Sequence, residues 1–248
     1  MLAIIGGSGF AQLSNLEVSR RQVVRTPYGK PSGALSFGKI SGREAVFLAR
    51  HGYGHTLPPH QINYRANLWA LHAQGVKNVV AIAAVGGIRS DLTPGALAVP
   101  DQIIDYTHGR AGTFVTPANG GVHYIDFTLP YCQTLRAACL TAAQRAGEKV
   151  ADGGVYAATQ GPRLETAAEI NRLERDGADM VGMTGMPEAA LAKEIGLCYA
   201  TIAVVVNYAA GRGDSRQGIA MNGIAAVLQQ ALGRVESILA QLVTSDGG

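Results

Sequence analysis

A chain of 248 residues, 47% of them hydrophobic, is long enough to bury a sizeable core and too apolar to be disordered. Its net charge of +3 comes from 21 basic residues scattered singly beside 18 acids, which excludes the clustered cation of a nucleic-acid surface and leaves a balance mildly attractive to a small anion. No apolar run reaches the ~20 residues that span a bilayer, so the sequence predicts a soluble, cytoplasmic protein with no membrane and no nucleic-acid partner.

Leu2–Ile5 is a short apolar run feeding Gly6-Gly7-Ser8-Gly9. It predicts a strand and not a signal peptide, because no basic residues precede it. Successive glycines let backbone N–H groups point into one concavity that suits an anion. The pattern is neither a dinucleotide fingerprint, since Gln12 stands where a third glycine is needed, nor a P-loop. Ala34–Ile40 and Glu44–Ala49 predict a β-hairpin, which runs into Arg50-His51-Gly52-Tyr53-Gly54-His55. An arginine there can give two parallel hydrogen bonds to an oxyanion.

Helical spacing predicts a helix over Gln61–Gln74 closed by Gly75, then a buried strand over Val79–Val85 ending in Gly86-Gly87. Asp101–Tyr106 is strand-like, and His108–His123 is a long loop of the kind that is functional or meets a neighbour. A helix is expected over Tyr131–Arg145 and a strand over Gly154–Thr159. Glu165 then opens a helix over Thr166–Arg175, where an acid in the first turn is favourable in its own right. A strand at Asp179–Gly182 leads to Met183-Thr184, and Pro187 sits in the first turn of a further helix. Thr201–Val206 reads as a strand buried on both faces. It ends at Asn207, which serves either as a turn residue or as a side-chain amide at the sheet edge where open α/β sheets bind ligands. Apolar residues from Ile219 to Leu242 recur at helical spacing. Strands alternating with helices predict one α/β domain over residues 1–248, a central mixed β-sheet flanked by helices. The three cysteines, Cys132, Cys139 and Cys198, show no metal-like spacing and are expected to be small reduced core residues.

Taken in order, GGSGF, ARHGYGHTLPPHQINYRANLWAL, AAVGGI, TQGPRLET, GMTGMPEAALAKEIG and VVVNY resemble the purine nucleoside phosphorylase superfamily, in particular its trimeric 5′-methylthioadenosine phosphorylase branch. The resemblance covers nearly the whole chain. It implies the phosphorylase/hydrolase-like fold and phosphorolysis of an N-glycosidic bond in purine salvage. Inorganic phosphate would be the co-substrate, with no metal or organic cofactor. It also implies that Ser8, Arg50, His51 and Thr184 bind phosphate, that Met183 packs beneath the ribose, and that Glu165 and Asn207 face the purine and assist departure of the base. Leu164 and Ala209 flank those two, and His55 lies on the phosphate loop. The family usually carries a threonine where this chain has Ala83, which leaves backbone N–H groups near Ala84 to meet phosphate.

The chain departs from the branch at the base. Members typically pair a serine with an Asp-x-Asp, whereas here Leu164-Glu165 and Asn207-Tyr208-Ala209 resemble 6-oxopurine phosphorylases. An ionised Glu165 only accepts, so it suits the N1–H of hypoxanthine and opposes the N1 lone pair of adenine. Inosine and guanosine phosphorylases often offer a histidine to the 5′-hydroxyl. The corresponding helix start here has Met221 and Ile224 instead, which form either an apolar wall suited to a methylthio group or ordinary core. The family pocket is completed by a neighbouring subunit through the loop holding His123 and Tyr124, implying a homotrimer. The substrate expected from both halves is 5′-methylthioinosine. The alternatives are inosine or guanosine, and then 5′-methylthioadenosine.

Overall fold

The computed structural model describes residues 1–116, 121 and 123–245. Among these, eleven strands join one mixed sheet. The hairpin forms as expected from β3 (Leu35–Ile40) and β4 (Arg43–Ala49), with β2 (Glu17–Gln22) added outside it. Next come β1 (Leu2–Gly6), parallel to β4, and β5 (Asn78–Gly87), parallel to β1. At β5 the sheet divides. One branch continues through β10 (Met180–Gly182), β9 (Val155–Ala158) and β7 (Gln102–Asp105); the other runs through β11 (Cys198–Tyr208), β6 (Leu97–Val99) and β8 (Val150–Asp152). The division falls at Gly86-Gly87, which pair with β10 on one side and with the end of β11 on the other. A Cβ on Gly87 would lie 1.9 Å from the Leu92 carbonyl oxygen, so only glycine permits that close approach.

Alternate residues of the central strands enter two cores. Ala3 and Ile5 of β1 face α1 (Tyr64–Ala73) and α4 (Gly185–Glu194), while Leu2 and Ile4 face α2 (Gln133–Arg145) and α5 (Met221–Ser245). That is why β1, β5 and β11 read as continuous apolar runs and not as alternating ones. The remaining helix, α3 (Ala167–Arg175), covers a small third cluster around Ile170 and Leu173. No helix among the described residues is long and apolar enough to cross a membrane.

Several expectations need correction. The helix expected from Gln61 starts at Tyr64, because Pro59–Gln61 closes a separate 3₁₀ turn and Asn63 caps the helix by accepting from the Ala66 N–H. Strands β2, β6 and β8 carry no readable signal: β2 is a mostly exposed charged edge, and the other two are three residues each. The cysteines are not all reduced. Cys132, at the N-terminus of α2, is disulfide-bonded to Cys198 at the start of β11, with 5.1 Å between their Cα atoms. Only Cys139 is a free thiol, and burial pushes it up to about 12. The spacing of 66 residues hides a pairing that only the packing of α2 against β11 creates.

Candidate active site

The C-terminal ends of the central strands surround a cavity of about 470 Å³. Ser8 reaches it from the turn after β1, Arg50 and His51 from the end of β4, and Ala84 from β5. Met183 and Thr184 follow β10, while Asn207 lies within β11 just past its bulge and Ala209 follows the strand. Loops and α5 close the remaining sides with His55, Leu164, Glu165, Met221 and Ile224. Ala83 is buried in the core and Ala84 lines the cavity, as alternation along a strand requires.

Arg50 is only 1% exposed, and Glu188, on α4, is 0% exposed. The guanidinium donates from Nε to Glu188 Oε2 at 2.7 Å, from Nη2 to Oε1 at 2.8 Å and from Nη1 to the Ile82 carbonyl at 2.9 Å. Those bonds leave one N–H on each terminal nitrogen for a ligand. Burial alone would push the guanidinium down, but the Glu188 carboxylate overrides it and holds the charge. Tyr199 donates to Glu188 Oε1 at 2.9 Å, fixing the carboxylate in turn. Gly7 lets the Ser8 turn lie against this group, since a Cβ there would stand 2.5 Å from the Ile82 oxygen and 2.9 Å from Arg50 Nη1.

His51 is buried, and its Nδ1 lies 2.8 Å from the Leu57 carbonyl. A carbonyl can only accept, so Nδ1 carries the proton and Nε2 is left as an acceptor. Burial first, and then the Arg50 charge, lower its pKa to about 4; the ring is neutral at pH 7. His55 packs on it with ring centroids 4.5 Å apart. Thr184 precedes α4 without spending its hydroxyl on a capping bond.

Glu165, which also lines the cavity, does not open α3. Thr166 is the cap: its hydroxyl accepts from the Glu169 N–H at 3.1 Å, while the Glu169 carboxylate accepts from the Thr166 N–H at 2.7 Å. Glu165 stands just outside this capping box, half-buried, and accepts from the Thr159 hydroxyl at 2.6 Å. Asn207 Nδ2 donates to the Tyr208 carbonyl at 2.6 Å, which orients the amide. Met221 is 63% exposed and lines the cavity, so it is not core; Ile224 lines the cavity and also packs against the α2–α5 core. His123 is exposed and does not line the cavity, and Tyr124 beside it is exposed too. Pro117 of the long loop lies outside the described residues. Among the described residues no group of three or more His, Cys, Asp or Glu converges as a metal site.

A family model described as the phosphorylase superfamily matches residues 1–244. The chain belongs to the phosphorylase superfamily. It is 50% identical over 243 residues to a probable S-methyl-5′-thioinosine phosphorylase of Pseudomonas syringae pv. tomato, covering 98% of each chain. It is 46% identical over 215 residues to the 6-oxopurine nucleoside phosphorylase of Pyrococcus furiosus, covering 85% of this chain and 80% of the relative. Among solved structures it is similar to a methylthioadenosine phosphorylase from Schistosoma mansoni in complex with adenine. There the TM-score is 0.93 at 32% identity, over 99% of this chain and 91% of the other.

Three residues of this phosphorylase escape sequence reasoning. Glu188 looks like an acid placed for a helix dipole, and nothing in the pattern joins it to Arg50, 138 positions away. Thr159 looks like the polar end of a short strand. Arg110 sits in the loop of low periodicity, yet its guanidinium donates to the carbonyls of Met183 at 2.8 Å, Met186 at 2.6 Å and Gln160 at 2.8 Å. It thereby ties the Met183 loop to the loop that carries Glu165. Clusters of carbonyl acceptors form only on folding, so no sequence signal marks such an arginine.

Proposed function

We propose that this chain cleaves the N-glycosidic bond of 5′-methylthioinosine with inorganic phosphate, giving hypoxanthine and 5-methylthioribose 1-phosphate. The observation that carries this reading is one cavity lined both by Glu165 and Asn207 and by the apolar side chains of Met221 and Ile224. A carboxylate that only accepts fits N1–H of a 6-oxopurine, and the Asn207 amide can donate to O6 or N7. An apolar wall favours a methylthio group over a hydroxyl that would lose its hydrogen bonds.

Phosphate is held by the remaining N–H groups of Arg50, the hydroxyls of Ser8 and Thr184, and backbone N–H groups near Ala84. Neutral His51 accepts from a protonated phosphate oxygen through Nε2. Met183 packs beneath the ribose, with Leu164, Ala209 and His55 filling the space around it. As the bond to the base stretches, the sugar gains oxocarbenium character and the base gains negative charge. Glu165 and Asn207 stabilise the departing base while phosphate, fixed on the opposite face, meets the cationic carbon. These steps need no protein nucleophile, metal or organic cofactor. Within a cytoplasmic homotrimer, His123 of a neighbouring copy would complete the 5′ end. The high exposure of Met221 favours inosine or guanosine as the second reading, because an open 5′ end also tolerates a hydroxyl.

The test is an assay of methylthioinosine, inosine and methylthioadenosine, each with and without phosphate. Methylthioinosine is expected to give the highest kcat/KM, with no turnover when phosphate is omitted. Turnover in water alone would make the protein a hydrolase, and a preference for inosine would remove Met221 and Ile224 from the specificity argument.

A further inference from the structure

We propose that Thr159 is a specificity-positioning residue: its hydroxyl holds Glu165 so that one carboxylate oxygen is presented to the base, and this contact sets the preference for 6-oxopurines over 6-aminopurines. The proposal rests on the 6-oxopurine reading above and names a residue that does not itself touch substrate.

Thr159 is mounted rigidly. It follows β9 directly, its N–H donates to the Gly182 carbonyl of neighbouring β10 at 2.8 Å, and the preceding Ala158 carbonyl accepts from Tyr106 at 2.8 Å. From Gln160 the chain turns tightly over Met183. Gly161 adopts φ +59°, and a Cβ there would fall 2.4 Å from Met183 Sδ. The turn returns Glu165 to within 2.6 Å of the Thr159 hydroxyl. A hydroxyl has one proton to give. The alternative acceptor, the Gly182 carbonyl, is 3.3 Å away and already takes the Thr159 N–H, so the proton goes to Glu165 Oε1.

That bond leaves Oε2 to meet the substrate. Glu165 receives no competing claim from α3, because Glu169 performs the capping there and is itself paired with Arg163. Thr159 is thus the side chain that decides how the Glu165 carboxylate is turned. A carboxylate with one oxygen fixed offers a directed acceptor to N1–H, whereas one left to rotate contacts either base equally poorly. Thr159 and Glu165 also line a second cavity of about 410 Å³; Thr159 does not line the cavity that holds Asn207.

The experiment compares wild type, Thr159→Val and Thr159→Ser for kcat/KM on methylthioinosine and methylthioadenosine, with the KM for phosphate measured alongside. Thr159→Val keeps the shape and loses the donor. It is expected to lower kcat/KM for methylthioinosine ~10- to 100-fold, the range for a hydrogen bond to a charged group, with methylthioadenosine and phosphate KM changed less than about twofold. Thr159→Ser is expected to restore the wild-type ratio. An unchanged ratio between the two nucleosides in Thr159→Val, whether both rates hold or both fall, overturns the proposal. If Thr159→Val does not fold, Thr159→Ala is read by the same ratio. A wild-type enzyme that itself prefers methylthioadenosine would sink the 6-oxopurine reading, and the effect of Thr159 on the ratio would still be measured independently.

Discussion

At the Arg50 end of the cavity the two charged groups are 1% and 0% exposed and locked by bonds of 2.7 and 2.8 Å, whereas at the Met221 end the lining side chain is 63% exposed and makes no polar contact. The first end hangs on strand termini inside the sheet; the second hangs on the first turn of α5 and on loops. A group that must orient an anion gains from a fixed, desolvated mount, since reorganisation then costs little when the ligand arrives. A region that distinguishes one nucleoside tail from another can vary without disturbing the core. Under the proposed function, the shared reactant belongs to the rigid end and recognition of the nucleoside tail to the open one.

The strongest way to break this contrast is to remove Glu188. Glu188→Ala leaves Arg50 as an unpaired buried charge, and a loss of about 3–5 kcal/mol is expected in phosphate-free denaturant unfolding. Added phosphate should recover part of it by supplying a new anion. The apolar pair Arg50→Met with Glu188→Leu should regain stability while losing phosphorolysis. A stable Glu188→Ala protein would mean that the pair is not the structural anchor its burial implies.

A smaller effect is expected from His51. Its folded-state pKa is about 4 against an ordinary 6.5, so below pH 6.5 the unfolded chain takes up a proton that the folded chain refuses. Stability therefore falls as pH drops from 6.5 to about 4, by on the order of 3 kcal/mol, and this contribution flattens below. Thermal unfolding of His51→Asn in phosphate-free buffer should show a shallower decline over that window than wild type. Equal slopes would show that His51 is solvated in the protein.

The smallest effect belongs to the open end. Met221→Ser should raise the inosine-to-methylthioinosine ratio of kcat/KM several-fold and leave the KM for phosphate unchanged, because only apolar contact with the tail is lost. A change in phosphate KM would show that the two ends are coupled.

Much of the fold is legible from periodicity. The apolar runs at Leu2–Ile5, Val79–Val85 and Thr201–Val206 lie within central strands, and the helices lie where the spacing places them, except that α1 starts at Tyr64 and not at Gln61. The charged edge strand Glu17–Gln22 was not legible, because an exposed edge needs neither alternation nor apolar residues. Thirteen of the fourteen site residues expected from the sequence line the one cavity. The exception, His123, sits on the loop that the family resemblance assigns to a neighbouring subunit's pocket.

The sequence by itself determined the strand ends that carry Ser8, Arg50, Thr184 and Asn207, since turn and glycine signals are local. It also carried the donor and acceptor identities that the proposed function places at the base, because Glu165 and Asn207 bring their chemistry wherever they stand. Only the tertiary structure decided which partner each charge has: Glu188 for Arg50, Thr159 for Glu165, and the Arg110 clasp between two loops. The Cys132–Cys198 bond belongs with these. Such pairings join residues up to 138 positions apart, and they exist only where the packed sheet excludes water and leaves each buried polar group needing a neighbour.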